Sequence, residues 1–359
     1  MRRRTIAFAL LTLALTTAAV GYPGPSPARA LPRGDWWRAR SMQALAVFRA
    51  ADHGRHQAFD YGMAAGAAGS LYGWTDPRTG TLLTELLATR NPDGGFGLGR
   101  AFDAFQDGSV NPPTTTYMVT LAGHVGPTLL AAFRAGAVPR AEVQRIVDLL
   151  LRAPRVPVGR GQCVAYSARP GDTAGCVHNV NAGVGWFLQD VAAAGFRGAG
   201  LHRLITDITA QELAAYRAAA HWWPYAGDGA DQDADHNSYS AESMYRLAYR
   251  VGREAAYRHL VTAYADNEVA PIAHVRLVSL PGGPGSMSPG HPGVTLWCEL
   301  GDRWHAESDA YLAGVDGTRA AQFAYYAARN AAACGPGGPD QSSSQGTVAH
   351  AEVSTSARR

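Results

Sequence analysis

The chain has 359 residues, 47% of them hydrophobic, and its 32 basic side chains other than histidine are all arginine, giving a formal net charge of +3. A chain without lysine cannot form a Schiff base with a carbonyl substrate, attach pyridoxal phosphate, or build a phosphate loop that needs Lys. Residues 1–30 carry four Arg and no acid, so without them the charge becomes 3 − 4 = −1, and nothing in the balance points to nucleic acid.

Taken in chain order, the first thirty residues read as a cleavable signal peptide. Arg2, Arg3 and Arg4 form a positive start, Ile6 to Val20 an apolar core, and Ala28-Arg29-Ala30 a small-x-small cleavage site. The apolar run, about 15 residues, is shorter than the roughly 20 needed to span a bilayer, and no later segment is long and apolar enough. Thr5-Ile6-Ala7 fits the twin-arginine consensus poorly, which favours the general secretory route. A secreted, soluble, monomeric protein without a membrane partner is the expectation. It comprises a signal peptide over 1–30, one helical domain over 31–334, and a disordered Gly/Pro/Ser-rich tail over 335–359.

Alanine-rich composition with few alternating β-branched runs predicts an all-α fold. Two sets of helices alternate. Segments 58–72, 115–135, 181–194, 238–251 and 306–314 are small and apolar on all sides, each preceded by a loop of Gly, Pro, Asp, Asn and His. Segments 82–89, 140–152, 201–220, 253–266 and 318–332 are amphipathic, as where Val143, Ile146, Leu149 and Leu150 share one face. With 36–51 as an extra outer helix, five to six helical hairpins result, each about 55 to 70 residues long. Inner helices so apolar are buried if the hairpins close on themselves, which predicts an α/α toroid, an incomplete barrel; an open superhelix is the competing arrangement.

Four cysteines in an oxidising compartment predict two disulfides, assigned to the nearer pairs Cys163–Cys176 and Cys298–Cys334. Their spacing lacks the close pairs of a structural zinc site.

The stretch Asn91-Pro92-Asp93-Gly94-Gly95-Phe96-Gly97, followed by Thr114-Thr115-Thr116-Tyr117 opening an inner helix, resembles the repeat of the prenyltransferase and squalene-hopene cyclase superfamily. Asn91 and Asp93 favour a turn, the glycines permit positive φ, and Phe96 would plug the gap between hairpins. Trp222-Trp223-Pro224-Tyr225 looks like a degenerate copy of that turn. The resemblance implies the toroid and leaves function open. Asp231-Gln232-Asp233-Ala234-Asp235 does not have the acid spacing of the cyclases, and Cys298, Asp302 and His305 do not follow the zinc order of the prenyltransferases.

In a toroid the loops entering the inner helices meet at the mouth of a central funnel, so residues far apart in sequence converge there. The segments 53–60, 106–111, 175–181 and 228–239 supply these loops, with His56 and Asp60 expected on the same cavity. The densest polar clusters are His178, Asn179 and Asn181, and His236, Asn237 and Tyr239, with Arg246 two helical turns further on. This set is similar in type to that of toroid polysaccharide lyases. The similarity implies that His178 and Asn179 neutralise a uronate carboxylate, that Tyr239 or His236 takes the α-proton, and that Arg246 binds substrate charge. Asn181, Asn237, Trp222 and Trp223 would bind sugar, although tryptophans such as Trp36, Trp37, Trp297 and Trp304 more often pack between hairpins, and the asparagines can serve as helix caps.

The expected function is therefore an exported enzyme acting on an acidic polysaccharide by β-elimination or hydrolysis. Alternatives are a non-catalytic glycan- or protein-binding toroid and a terpene cyclase or prenyltransferase relative. No cofactor is expected. The acids at 231, 233, 235 and 242 have calcium-loop spacing, but His236 stands where that loop needs Gly, leaving a looser calcium site from Asp228, Asp231 and Asp233 as the alternative.

Overall fold

The computed structural model describes residues 33–51, 57–105, 108–158, 161–172, 175–216, 223–226, 312–314 and 317–334. They are mostly helical. In chain order they form α1 (Arg33–Ala50), α2 (Ala58–Tyr72), α3 (Pro77–Ala88), a short antiparallel pair β1 (Phe102–Asp103) and β2 (Val110–Asn111), a π-helical turn (Thr120–Val125) running into α4 (Gly126–Arg134), α5 (Arg140–Arg152), a second pair β3 (Arg155–Val156) and β4 (Cys163–Val164), α6 (His178–Ala193), α7 (Leu201–Ala215) and α8 (Gly317–Cys334).

The two compositional sets occupy two environments. α2 and α6 bury residues around their whole circumference, including Ala58 to Gly69 apart from Phe59, and His178 to Phe187 apart from Trp186. α3, α5 and α7 bury one face each, such as Val143, Ile146, Val147 and Leu150 in α5. Each inner helix packs on the outer helix that follows it, and successive inner helices pack on one another. The last described helix, α8, returns to pack on α1 and α2, and Ser41 Oγ donates to Ala324 O at 2.6 Å in a buried contact.

Small residues set the spacing of the inner helices. A Cβ on Gly62 would lie 3.2 Å from Val125, and one on Gly66 would lie 2.7 Å from Thr128 Oγ1 and 2.8 Å from the Tyr325 ring. Thr128 Oγ1 donates to Gly62 O at 2.8 Å. Because residue order rises together on both sides of this contact, α2 and α4 run parallel. On the other side of α4, a Cβ on Gly126 would lie 2.7 Å from Phe187 of α6.

The Asn91–Gly97 turn is a latch on the inner helix that follows. Asp93 Oδ1 accepts from Gly95 N and from Thr116 Oγ1, both at 2.8 Å, while Asn91 Nδ2 donates to the same Thr116 hydroxyl at 3.0 Å. Gly94 takes a φ of 87°, open to glycine at little cost, and Phe96 and Thr116 are buried. Phe96 O then accepts from Tyr117 N at 3.1 Å. The stitch repeats: Tyr166 O accepts from Met118 N at 3.0 Å and Tyr225 O from His178 N at 3.1 Å, with bridges Gly97–Thr116, Tyr117–Ser167 and Val177–Ala226. The Pro224-Tyr225-Ala226 segment thus holds the start of α6 as Phe96-Gly97 holds Tyr117.

Several boundaries differ from the sequence reading; the inner helix expected from 115 begins only after Tyr117, because Thr116 and Tyr117 bridge to Gly97 and Ser167. α3 begins at Pro77 rather than 82, because Asp76 caps it by accepting from Arg78 N at 2.9 Å. α7 ends at Ala215, short of the expected 220. α6 begins at His178 rather than 181; the Tyr225 carbonyl satisfies His178 N, and no side chain caps the helix. Expected helices 238–251 and 253–266, most of 306–314, and the 335–359 tail lie outside the described residues.

Candidate functional site

The lead-in to α6 carries the polar cluster. Cys163, at the end of the β3–β4 hairpin, and Cys176, two residues before α6, form a disulfide with a Cα–Cα distance of 5.6 Å. In the chain-entropy model a loop this short gains about 3 kcal/mol on closure. The bond fixes the backbone from which His178, Asn179 and Asn181 project. All three are buried.

They converge on a residue from the next helix. Glu212 of α7 is fully buried, and its carboxylate lies 3.0 and 3.2 Å from His178 Nδ1. Asn181 Nδ2 donates to Glu212 Oε1 at 2.7 Å and also lies 3.2 Å from Gln162 O, while Asn181 Oδ1 accepts from Val164 N at 3.1 Å. A carboxyl group out of water is tolerated only when its lone pairs are met, and His178 and Asn181 supply partners for it. A proton on Nδ1 donated to a carboxylate fixes an imidazole's tautomer and ring orientation. Asn179 follows His178 in the first turn of α6; it is 6% exposed and its Oδ1 has no hydrogen-bond partner among the described residues.

Trp223 belongs to the support of this group and not to a sugar-stacking surface. It is fully buried, packs on Tyr216 with ring centroids 4.6 Å apart, and its indole N–H donates to Glu212 O at 3.0 Å. Asn181 likewise has its amide committed to protein partners, which corrects its reading as a sugar ligand. Asp60 is buried and accepts from Gln57 N at 3.1 Å, capping α2. Asn111 is buried as well, donating to Asp172 at 2.5 Å; Ser167 Oγ donates to the same carboxylate at 2.6 Å. Burial raises the phenol pKa of the neighbouring Tyr117, and does so more strongly for Tyr166. His56, Trp222, Asp228, Asp231, Asp233, His236, Asn237, Tyr239, Arg246 and Cys298 lie outside the described residues, and of Cys334 only the backbone, at the end of α8, is described.

Glu212 was absent from the sequence-derived candidates, although a signal existed. Leu201, Leu204, Ile205, Ile208 and Glu212 fall at i, i+3, i+4, i+7 and i+11, so an acid occupies the apolar stripe of an amphipathic helix. A charge there needs a partner.

The chain matches no protein-family model, no curated protein sequence and no solved structure. Among the described residues, no helix is long and apolar enough to cross a membrane.

Proposed function

We propose that the protein is a secreted α/α toroid that acts on an acidic extracellular polysaccharide by β-elimination or hydrolysis. The observation that carries this reading is the buried His178–Glu212 pair at the start of an inner helix, a carboxylate-oriented imidazole followed in the chain by the buried Asn179. The parallel inner helices, the return of α8 onto α1 and α2, and the disulfide support the toroid and its extracellular setting. In elimination, His178 and Asn179 neutralise the uronate carboxylate, which acidifies the adjacent C–H. Tyr239 or His236 removes that proton, a carbon–carbon double bond forms as the bond to the leaving sugar oxygen breaks, and that oxygen takes up a proton returned by the same residue or by water. Arg246 holds substrate charge.

The test is to incubate the secreted chain with alginate, pectate, hyaluronan, chondroitin and heparan. Ultraviolet absorbance of an unsaturated uronate identifies elimination, and new reducing ends without it identify hydrolysis. The burial of His178 and Trp223 favours a second reading, a non-catalytic glycan-binding toroid in which these residues only support the fold. Binding without any product would select it.

A further inference from the structure

We propose that Cys163, Cys176, His178 and Glu212 form a Zn²⁺ site in the chain whose cysteines are reduced, so that metal and disulfide are alternative clasps for the same two segments. Cys176 Sγ, His178 Nδ1 and a Glu212 carboxylate oxygen all lie within 4.8 Å of one another, and all three residues are buried. The separations are close to the edges of a metal tetrahedron. Zinc bonds of about 2.3 Å to sulfur and about 2.0–2.1 Å to nitrogen or oxygen put S and N or O about 3.5 Å apart and N and O about 3.3 Å apart. The corresponding distances are 3.8 Å from Cys176 Sγ to His178 Nδ1, 3.9 Å from Cys176 Sγ to Glu212 Oε1, and 3.2 Å from His178 Nδ1 to the same Oε1. Cys163, bonded to Cys176, supplies the fourth donor once the bond opens. Two thiolates, an imidazole and a carboxylate are all common zinc ligands, and a closed four-ligand set of this kind serves structure.

The chemistry balances. A dithiol reductant breaks the S–S bond, leaves two thiols on the chain and itself becomes a disulfide. Zn²⁺ then displaces the two thiol protons as it binds. The buried sulfurs make this exchange slow in the folded oxidised chain, so the metal form belongs to the chain before its cysteines are oxidised. Asn181, now bonded to Glu212 Oε1, would hold the ligating carboxylate from behind. This inference stands independently of the polysaccharide reading, because its readout is metal binding.

The experiment uses the mature chain with Cys298→Ser and Cys334→Ser, so that only the two site cysteines remain. It is refolded from denaturant with a phosphine reductant in the presence of Co²⁺. The expected result is one Co²⁺ per chain with thiolate charge-transfer absorption and the intense visible bands of tetrahedral cobalt, bleached by one equivalent of Zn²⁺. The same chain refolded oxidised should show none of these. Cys163→Ser should weaken cobalt binding at least tenfold and reduce the charge-transfer intensity by about half, and His178→Gln should lose the tetrahedral bands. Circular dichroism follows folding in parallel. A reduced, folded chain without tetrahedral bands, bands unchanged by Cys163→Ser, or a reduced chain that neither Co²⁺ nor Zn²⁺ helps to fold would each overturn the proposal.

Discussion

Replacing Glu212 with alanine tests the buried network where its physics is most exposed. The substitution removes the acceptor of Asn181 Nδ2 at 2.7 Å and the partner of His178 Nδ1 at 3.0 Å, both in a region closed to water. Taking away the shared acceptor strands two buried groups, at about 1–3 kcal/mol for each, or about 2–6 kcal/mol together. At about 2–4 °C per kcal/mol for a chain larger than 150 residues, the melting temperature should fall by about 4–24 °C. Glu212→Gln keeps one oxygen and the side-chain volume, so its cost should be nearer the 1–3 kcal/mol of an imperfectly met buried polar group. Thermal unfolding followed by circular dichroism of the oxidised protein gives both numbers, and the His178→Ala/Glu212→Ala double variant gives the coupling. The two changes should be sub-additive by more than 0.5 kcal/mol, the usual lower bound for residues in contact. If Glu212→Ala melts within about 1 °C of the parent, or the pair is additive, the network does not hold this region together and the reasoning fails.

Three further outcomes follow from the same structure. Gly66→Ala should destabilise by about 1–3 kcal/mol, because the steric cost against Thr128 and Tyr325 outweighs the helix-propensity gain of about 1 kcal/mol; Tyr325→Ala in the same chain should recover part of the loss, as read by urea unfolding. Thr116→Val should cost about 1–3 kcal/mol by leaving Asp93 and Asn91 without their shared hydroxyl, and a melting curve superimposable on the parent's would contradict the latch. Tyr117 and Tyr166 have phenol pKa values raised above the ordinary value of about 10 chiefly by burial, so their stabilising contribution is complete below pH 10 and is lost as pH rises through the folded values. Their tyrosinate absorbance should therefore appear together with alkaline unfolding, and ionisation of all tyrosines near pH 10 in a still-folded protein would refute it.

The helical layering was legible in the sequence because burial on all sides selects Ala and Gly, whereas one-sided burial leaves a periodic stripe. α2 and α5 accordingly match their expected spans. The nearer-pair rule found Cys163–Cys176, since a hairpin brings residues a few positions apart within bonding reach. The start of α6 was not legible, because its first N–H is met by the Tyr225 carbonyl, a contact across some 47 residues that leaves no capping side chain in the sequence. Trp223 was misread for a related reason. Aromatic clusters look alike whether they face sugar or core, and only its hydrogen bond to Glu212 O decides between them. Glu212 was hidden by position: it sits in an outer helix, while the search for chemistry followed the loops entering inner ones.

Asn179→Ala on the polysaccharide that the substrate panel identifies tests the central claim most directly. The amide oxygen of Asn179 has no hydrogen-bond partner among the described residues, so Asn179→Ala should cost only about the 1 kcal/mol of an ordinary point substitution and lower the melting temperature by about 2–4 °C. If the Asn179 Nδ2 group donates to a substrate carboxylate in the transition state, turnover should fall by about 10² or more. Full turnover by the variant, or the absence of any product from the parent chain across the panel, would contradict the account.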